Sequence, residues 1–313
     1  MLKAAVVGAG AMGRHHIRIL AAMPDVELGF VVDPDPERAG ALAGPGGTRT
    51  VGSIDDLPEL DIAVVATPTE SHLEIASALM DRGVSVLVEK PLALDVEQAA
   101  ALVERARDRG VTLAVGHVER FNPVIRFLTG LSMQPRHIHF ERLSPFTPRI
   151  TSNVISDLMV HDLDLACELM GGEPVRVQAS AVSVFTELPD IATAILEFGG
   201  GAVVSLSASR ATQDKVRRIE ISSADRYIVA DCLRQDVQIK RETEVEFPES
   251  EPNLYRQASV IEIPYLDRSG EPLALEVADF VRAVREGTRP TVDGEAGLRA
   301  VRLAIAVEEA AAS

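Results

Sequence analysis

The segment "VVGAGAMG", residues 6–13, decides the fold of this chain. It places Gly8, Gly10 and Gly13 in the spacing GxGxxG, after a β-branched run and at the start of a helical pattern. In that setting the first glycine permits a tight turn, the second lets a pyrophosphate approach the main chain, and the third lets the helix pack closely. The segment predicts a dinucleotide-binding βαβ unit; the alternative is a glycine-rich turn without a ligand.

The cofactor prediction has a second support in Asp33, at the end of "FVVD" and 20 residues after Gly13. A carboxylate there can accept hydrogen bonds from both ribose hydroxyls of NAD, whereas it would repel the extra phosphate of NADP. The next residues are "PDP" rather than basic. We therefore expect NAD in preference to NADP, although Arg38 lies near enough in sequence to reach such a phosphate.

Residues 1–118 alternate between short apolar runs and helical patterns. The runs are "KAAVVGAG", "VELGFVVD", "DIAVVAT", "VSVLVEK" and "VTLAVGH". Strands that are apolar throughout are covered on both faces, as in parallel sheets with crossover helices. This region is predicted to be an α/β Rossmann domain with a doubly wound parallel sheet.

The pattern changes in residues 119–313. One helical stretch around 153–170 precedes β-rich runs without intervening helices, which predicts an α+β domain with an open, mainly antiparallel sheet. Residues 241–272 are rich in Pro and Glu and are predicted to form a loop. Two helices are predicted at the C-terminus, where they could pack back on the Rossmann domain. A second subunit could cover the open sheet, so we expect a homodimer or homotetramer.

Composition excludes several classes of partner. The chain of 313 residues has 31 Lys and Arg against 47 Asp and Glu, and its formal charge of −16 disfavours nucleic acid and anionic membranes. No apolar run has membrane-spanning length, and the N-terminus lacks a signal-peptide pattern. Cys167 and Cys232 are far apart and outside any metal-binding spacing, so both are predicted to be buried thiols. We expect a cytoplasmic protein with a small-molecule ligand.

Two further strand ends carry candidate residues. "VLVEKP", residues 86–91, ends in Glu89, Lys90 and Pro91. Ligands of open parallel sheets bind beyond the carboxyl ends of the strands, where the Lys90 amine could hydrogen-bond a substrate hydroxyl and ease its deprotonation. The alternative is a lysine that only extends to solvent. "ATPTESH", residues 66–72, could likewise line the cofactor or simply cap the next helix.

The segment "SDLMVHDLDLACEL", residues 156–169, holds ionisable side chains on a helix apolar enough to be buried. Asp157 and His161 are four residues apart and would share a face, which Asp164 joins three residues later. Charges on a buried helix are costly unless they pair or serve a site. Helix physics alone supports a paired structural histidine and a catalytic one equally.

Taken in this order, the glycine loop, "EKP" and the helix with Asp157 and His161 resemble the family of glucose-fructose oxidoreductase, inositol dehydrogenase and rhizopine-catabolism proteins (Gfo/Idh/MocA). The likeness extends over nearly the whole chain. It implies an NAD(P)-dependent oxidoreductase acting on CH–OH groups, with no metal. The resemblance assigns the catalytic lysine to Lys90, the substrate-positioning aspartate to Asp157 and the proton-transferring histidine to His161. Asp162 and Asp164, on the same helix, are expected to be supporting groups.

The resemblance also implies binding residues. The cofactor contacts would be Gly8, Ala9, Gly10, Ala11, Met12, Gly13, Asp33, Thr67, Pro68, His72, Glu89 and Lys90. Within the family, "GHVERFNPVI" and "ISDLMVHDLDL" are most similar to the UDP-N-acetylglucosamine 3-dehydrogenases, which implies that Arg120 and Asn122, with Lys90, Asp157 and His161, contact a nucleotide sugar. Its diphosphate could meet basic side chains at Arg149, Lys215 or Arg217.

Alternatives within this resemblance remain open. Many family members have a glycine-rich stretch before the helix, whereas this chain has "RITSNVISD", so Thr151, Ser152 and Asn153 are expected to reshape the substrate pocket. Related branches act on inositols, free sugars or sugar phosphates, and a ketone or imine reductase is equally compatible. The family fold also serves in non-catalytic NAD-binding sensors.

Overall fold

The computed structural model describes residues 1–43, 47–147, 152–242 and 259–312. The chain forms two compact units, the first comprising Met1–Phe121 with Gly270–Ile305 and the second Asn122–Ser269 with Ala306–Ser313. The sequence division into residues 1–118 and 119–313 therefore differs from the structural one, because most of the C-terminal helical segment belongs to the first unit.

The first unit contains a six-stranded parallel sheet in the order β3-β2-β1-β4-β5-β6. The strand order reverses between β1 and β4, which is where open α/β sheets bind ligands. The strands are β1 Leu2–Val7, β2 Val26–Val32, β3 Arg49–Val51, β4 Ile62–Val65, β5 Ser85–Glu89 and β6 Leu113–Gly116, and the helices are α1 Gly13–Ala22, α2 Pro36–Ala43, α3 His72–Asp81 and α4 Val96–Arg109.

Both faces of this sheet are buried, as its apolar strands predict. On β1, Ala4 and Val6 belong to one apolar cluster and Ala5 and Val7 to the other. This confirms the doubly wound domain. The short strand β3 was not predicted, because its three residues are exposed or half-buried and form no apolar run.

The two predicted C-terminal helices run over Pro272–Glu286 and Gly294–Ala312. The helix Pro272–Glu286 lies against α1, and its Val277 and Phe280 share an apolar cluster with Leu20.

The second unit contains an eight-stranded mixed sheet in the order β14-β13-β12-β11-β7-β10-β9-β8. Only the β7–β10 pair is parallel among the described pairings, so the sheet is mainly antiparallel, as predicted. Its strands are β7 His137–Leu143, β8 Arg176–Val182, β9 Ile191–Glu197, β10 Val203–Ser209, β11 Val216–Ser222, β12 Tyr227–Asp231, β13 Asp236–Glu242 and β14 Ser259–Glu262. Its helices are α5 Pro123–Thr129 and α6 Val160–Met170. The two C-terminal helices are α7 Pro272–Glu286, in the first unit, and α8 Gly294–Ala312, which belongs to the second unit from Ala306 onward.

One prediction for this unit was wrong in part. Residues 241–272 were expected to form a loop, but β14 lies within them and pairs with β13. Residues 243–258 lie outside the described part of the chain.

The two faces of the mixed sheet differ in burial. On β7, Ile138 and Phe140 are buried while His137 and His139 lie on the more exposed face. Nε2 of His137 and Nδ1 of His139 lie 3.0 and 2.9 Å from the hydroxyl of Ser205, so both rings share this face. The helical segment around 155–170 covers part of the buried face. No helix among the described residues combines the length and apolarity that a membrane span needs.

Candidate active site

The glycine loop after β1 has the shape that a dinucleotide requires. Gly8 has φ of 96°, and a Cβ there would lie 2.5 Å from the carbonyl oxygen of Ala66. A Cβ on Gly13 would overlap the carbonyl of Gly8, whereas one on Gly10 would meet no described atom within 4 Å. The first and third glycines are therefore required by packing, and the middle one borders open space beside the start of α1. That arrangement fits a bound pyrophosphate.

The Asp33 carboxylate lies at the end of β2 beside this loop. It is 4% exposed; one oxygen accepts the N–H of Ala9 at 2.8 Å and the other accepts the N–H of Asp35 at 2.9 Å. A carboxylate has about four acceptor positions, so it retains capacity for ribose hydroxyls. A guanidinium nitrogen of Arg38 lies 3.6 Å from the same group, as its position in sequence suggested.

His72 connects the two loops that follow β4 and β5. Its Nε2 lies 3.0 Å from the carbonyl oxygen of Thr67, and its Nδ1 lies 3.1 Å from that of Pro91. The ring is buried, while Thr67 is half-buried and Pro68 is exposed. His72 thus holds the loops that carry Thr67 and Lys90, and its predicted contact with the cofactor stays a prediction.

Glu89 ends β5 and is tied to both neighbouring elements. Its Oε1 lies 2.7 Å from Nε2 of His16 on α1, and its Oε2 accepts the main-chain N–H of Lys90 at 3.3 Å. Both Glu89 and His16 are buried, and Lys90 is half-buried at the carboxyl edge of the sheet. No local sequence pattern indicates this pair, because its members are 73 residues apart.

The two residues expected to meet a nucleotide sugar fall on either side of the unit boundary. Arg120 lies in the short helical turn Val118–Phe121 of the first unit and is buried. Asn122 caps α5 in the second unit: its side-chain oxygen accepts the N–H of Val124 at 3.0 Å, and its amide donates to the carbonyl of Cys232 at 3.1 Å. These bonds give Asn122 a structural role, and its substrate contact stays a prediction.

Asp157 and His161 belong to adjoining turns of different geometry, not to one regular α-helix. Asp157 lies in a π-helical turn, Ile155–Met159, and α6 begins at Val160. The four-residue spacing therefore crosses a change of helix type, and the expected α-helical stacking is corrected accordingly. Isolated π-turns often occur at functional sites. Both side chains are half-buried, next to the buried residues Met159, Val160 and Asp162.

Asn153 starts this segment. Its side-chain oxygen accepts the N–H groups of Ile155 and Ser156, both at 2.9 Å, and its amide donates to Glu308 at 2.9 Å. The carbonyl of Ser152 accepts from Arg210 at 2.6 Å. These contacts explain both residues structurally, and an effect on a substrate pocket stays a prediction.

Asp162 and Asp164 are both buried on α6. Asp162 forms a bidentate pair with Arg142 on β7, at 2.8 and 2.7 Å. It thus attaches the helix to the sheet directly after His161.

The structure describes only some of the remaining candidate residues for the substrate pocket and the diphosphate. Thr151 and Arg149 lie outside the described residues, Lys215 is exposed and Arg217 is half-buried. The described residues contain no group of three or more His, Cys, Asp or Glu able to hold a metal ion. Cys167 and Cys232 are buried, as predicted.

A buried acid, Glu276 on α7, was also missed. The residue is 3% exposed and lies among Leu273, Val277 and Phe280, which recur at the spacing of a core-facing helix. A glutamate at such a core position is the signal that could have identified it.

The parallel sheet, the open space at Gly10 and the Asp33 carboxylate define a Rossmann dinucleotide-binding protein. Models of two families match the chain: "Oxidoreductase family, NAD-binding Rossmann fold" over residues 2–117 and "GFO/IDH/MocA C-terminal domain" over residues 125–228. The chain belongs to the Gfo/Idh/MocA family of oxidoreductases.

Known relatives share this architecture along the whole chain. A UDP-N-acetylglucosamine 3-dehydrogenase of Acidithiobacillus ferrooxidans is 36% identical over 99% of this chain and 97% of its own, and a solved structure of that enzyme has a TM-score of 0.89, covering 99% and 97% of the chains. An inositol 2-dehydrogenase of Rhizobium meliloti is 27% identical over 96% and 93%. A protein of gentamicin A biosynthesis, solved in complex with NAD, is 26% identical, with a TM-score of 0.82 and coverage of 100% and 94%. The family models and these dehydrogenase relatives identify the chain as an oxidoreductase.

Proposed function

We propose that this enzyme oxidises a secondary hydroxyl of a nucleotide sugar, at C3 of UDP-N-acetylglucosamine. The observation that supports this substrate is the full-length similarity, at 36% identity, to a dehydrogenase of that sugar. An inositol dehydrogenase is also similar over nearly the full length but at 27% identity, so inositol is the second candidate.

We propose NAD as the cofactor. Asp33 supports this choice, since its buried carboxylate would repel the 2′-phosphate of NADP. The Arg38 guanidinium, 3.6 Å from Asp33, is half exposed and already neutralised by Asp33 and Asp35. The residues proposed to hold the cofactor are Gly8 to Gly13, Asp33, Thr67, Pro68, His72, Glu89 and Lys90.

The proposed chemistry divides between the cofactor and three side chains. NAD, when bound, accepts the hydride that leaves the sugar carbon. The Lys90 ammonium hydrogen-bonds the oxygen of the same carbon and lowers the cost of its negative charge. An imidazole nitrogen of His161 takes the hydroxyl proton, and Asp157 orients the sugar or the imidazole.

Substrate recognition and assembly are also proposals. Arg120 and Asn122 would contact the nucleotide sugar, and Arg217 could meet its diphosphate, because a guanidinium binds phosphate oxygens in pairs. The open sheet of the second unit suits a homodimer or homotetramer. A reducing cytoplasm is compatible with the two buried cysteines.

A panel of purified substrates tests the proposal. UDP-sugars, sugar phosphates, free sugars and inositols are incubated with NAD or NADP, and NADH or NADPH formation is followed. We expect turnover with UDP-N-acetylglucosamine and NAD. Lys90→Met should lower kcat at least a hundredfold, while Lys3→Met, at an exposed position, retains it. Faster turnover of an inositol, or full activity in Lys90→Met, would overturn the assignment.

A further inference from the structure

Glu276 is a buried carboxyl group without a hydrogen-bond partner. Among the described residues neither of its oxygens has one, and its neighbours on α7 belong to the apolar cluster that includes α1. An ionised carboxylate in such a place would lose its hydration without gaining an ion pair, which costs several kcal/mol. A neutral carboxylic acid avoids most of that cost.

The surrounding charges favour the same state. Burial raises the pKa of Glu276 well above its ordinary value of 4.5, and the negative charges of Glu89 and then Asp279 raise it further. Asp279 is itself held by Arg282 and by the N–H of Thr291 at 2.6 Å. No cation pairs with Glu276 within the described part of the chain.

The elements packed against α7 contribute few other charges. His16 and Arg18 lie on α1, and Arg18 pairs with Glu271 at 2.7 Å near the surface. The turn Val118–Phe121 contributes Glu119 and Arg120, which are buried and have partners of their own.

Glu89 is held through both of its carboxyl oxygens. One accepts from the main-chain N–H of Lys90, and His16 faces the other through Nε2. The Nδ1 of His16 has no hydrogen-bond partner among the described residues, so the described side-chain contact of His16 is the one with Glu89. The three side chains His16, Glu89 and Glu276 are here called the acid cluster.

We propose that Glu276 is a positioning residue for the reaction proposed above, on which this inference rests. By retaining its proton Glu276 adds no negative charge beside Glu89, and Glu89 keeps its hydrogen bonds to His16 and to the main chain of Lys90. Loss of that proton at high pH places a second negative charge near Glu89 and disturbs the strand end that carries Lys90.

Two variants remove the ionisation of Glu276. Glu276→Gln keeps the shape of the neutral acid, and Glu276→Met keeps the length without burying an amide, so it serves if the glutamine variant fails to fold. Glu286→Gln is the matched control, because Glu286 is an exposed carboxylate on the same helix.

Infrared spectroscopy and thermal unfolding test the protonation without a substrate. We expect wild type and Glu286→Gln to show the carbonyl band of a protonated carboxylic acid at neutral pH, and the Glu276 variants to lack it. A raised pKa stabilises the fold below the ordinary value and loses that effect as pH rises toward the folded value. The Tm of wild type minus the Tm of each Glu276 variant should therefore decrease as the pH is raised above 4.5.

Cofactor binding and kinetics test the positioning role. In wild type, NADH affinity and kcat should each fall at least threefold as the pH is raised above neutral. This alkaline decrease should shift or disappear in Glu276→Gln and Glu276→Met, and it should remain in Glu286→Gln. An unchanged acid band, or an alkaline limb identical in all four proteins, would overturn the inference. If wild type oxidises no sugar, the proposed function fails, while the band and the pH dependence of NADH affinity still decide the role of Glu276.

Discussion

The guanidinium of Arg142 and the carboxylate of Asp162 form two parallel hydrogen bonds of 2.8 and 2.7 Å between β7 and α6. Both side chains are at most 5% exposed. Since Asp162 directly follows His161, this pair restrains the rotation of α6 and thereby the direction of the proposed proton acceptor.

Removing one member of that pair should destabilise the fold. Arg142→Met leaves the Asp162 carboxylate buried without its principal cation, and we expect a loss of about 3–5 kcal/mol in the free energy of unfolding. The double variant Arg142→Met with Asp162→Leu should lose less, because it buries no lone charge. Urea unfolding measures this free energy for wild type, Arg142→Met and the double variant. Arg176→Met, which breaks the exposed pair with Glu197, is the control and should cost about 1 kcal/mol or less. A double variant less stable than Arg142→Met would contradict the argument.

Gly10 and Gly13 of the loop should respond differently to alanine. Gly10→Ala adds a Cβ that meets no described atom, so we expect an unchanged Tm and an NADH dissociation constant raised at least tenfold, about 1.4 kcal/mol. Gly13→Ala overlaps the Gly8 carbonyl and should cost about 3 kcal/mol of stability. Thermal unfolding and NADH fluorescence titration separate the two effects. Unchanged NADH affinity in Gly10→Ala would mean that the open space does not hold the cofactor.

Asn153 should support the π-helical turn that carries Asp157. Asn153→Ala removes the acceptor for two main-chain N–H groups, and we expect a loss of about 1 kcal/mol in stability. Asn153→Asp keeps that acceptor but places a second carboxylate beside Glu308, so its loss should be smaller and should diminish with added salt. Equal losses in both variants, independent of salt, would show that capping is not the cause.

Acid should weaken the fold through Asp190. Burial alone would raise the pKa of Asp190, but the N–H groups of Phe185 and Val184 and the Arg210 guanidinium hold it well below its ordinary value of 3.8. A lowered pKa contributes stability above the unfolded value and loses it as pH falls through the folded value. Wild type should therefore exceed Asp190→Asn in unfolding free energy at neutral pH, with the difference shrinking below 3.8. A difference that stays constant with pH would rule out the titration of Asp190.

Local sequence patterns predicted most of the fold. Apolar runs identified β1, β2, β4, β5 and β6, and consecutive β-rich runs identified the mixed sheet. The strands β3 and β14 were missed because they are only three and four residues long. β13 was also missed, although Val237 and Ile239 alternate with polar residues along it.

Contiguous motifs supplied the candidate site residues, whose roles stay predictions, whereas contacts between distant residues were missed. The ends of β1, β2 and β5 are evident from short apolar runs in the sequence. They are followed by Gly8 to Gly13, Asp33 and Lys90, respectively. The His16–Glu89 pair joins residues 73 apart, and the π-turn at Asp157 depends on tertiary packing that no helical period reveals. Glu276 was missed although Leu273, Val277 and Phe280 mark its face of the helix as apolar.

Isotope transfer tests the central proposal most directly. UDP-N-acetylglucosamine carrying deuterium at C3 is incubated with the enzyme and NAD, and the NADH formed is analysed by mass spectrometry. We predict that the NADH carries deuterium. Where hydride transfer is rate-limiting, the deuterated sugar should also react more slowly than the unlabelled sugar. Lys90→Met should form neither NADH nor the oxidised sugar at a comparable rate. NADH formed without deuterium, or no NADH from this sugar while an inositol is oxidised, would contradict the proposed function.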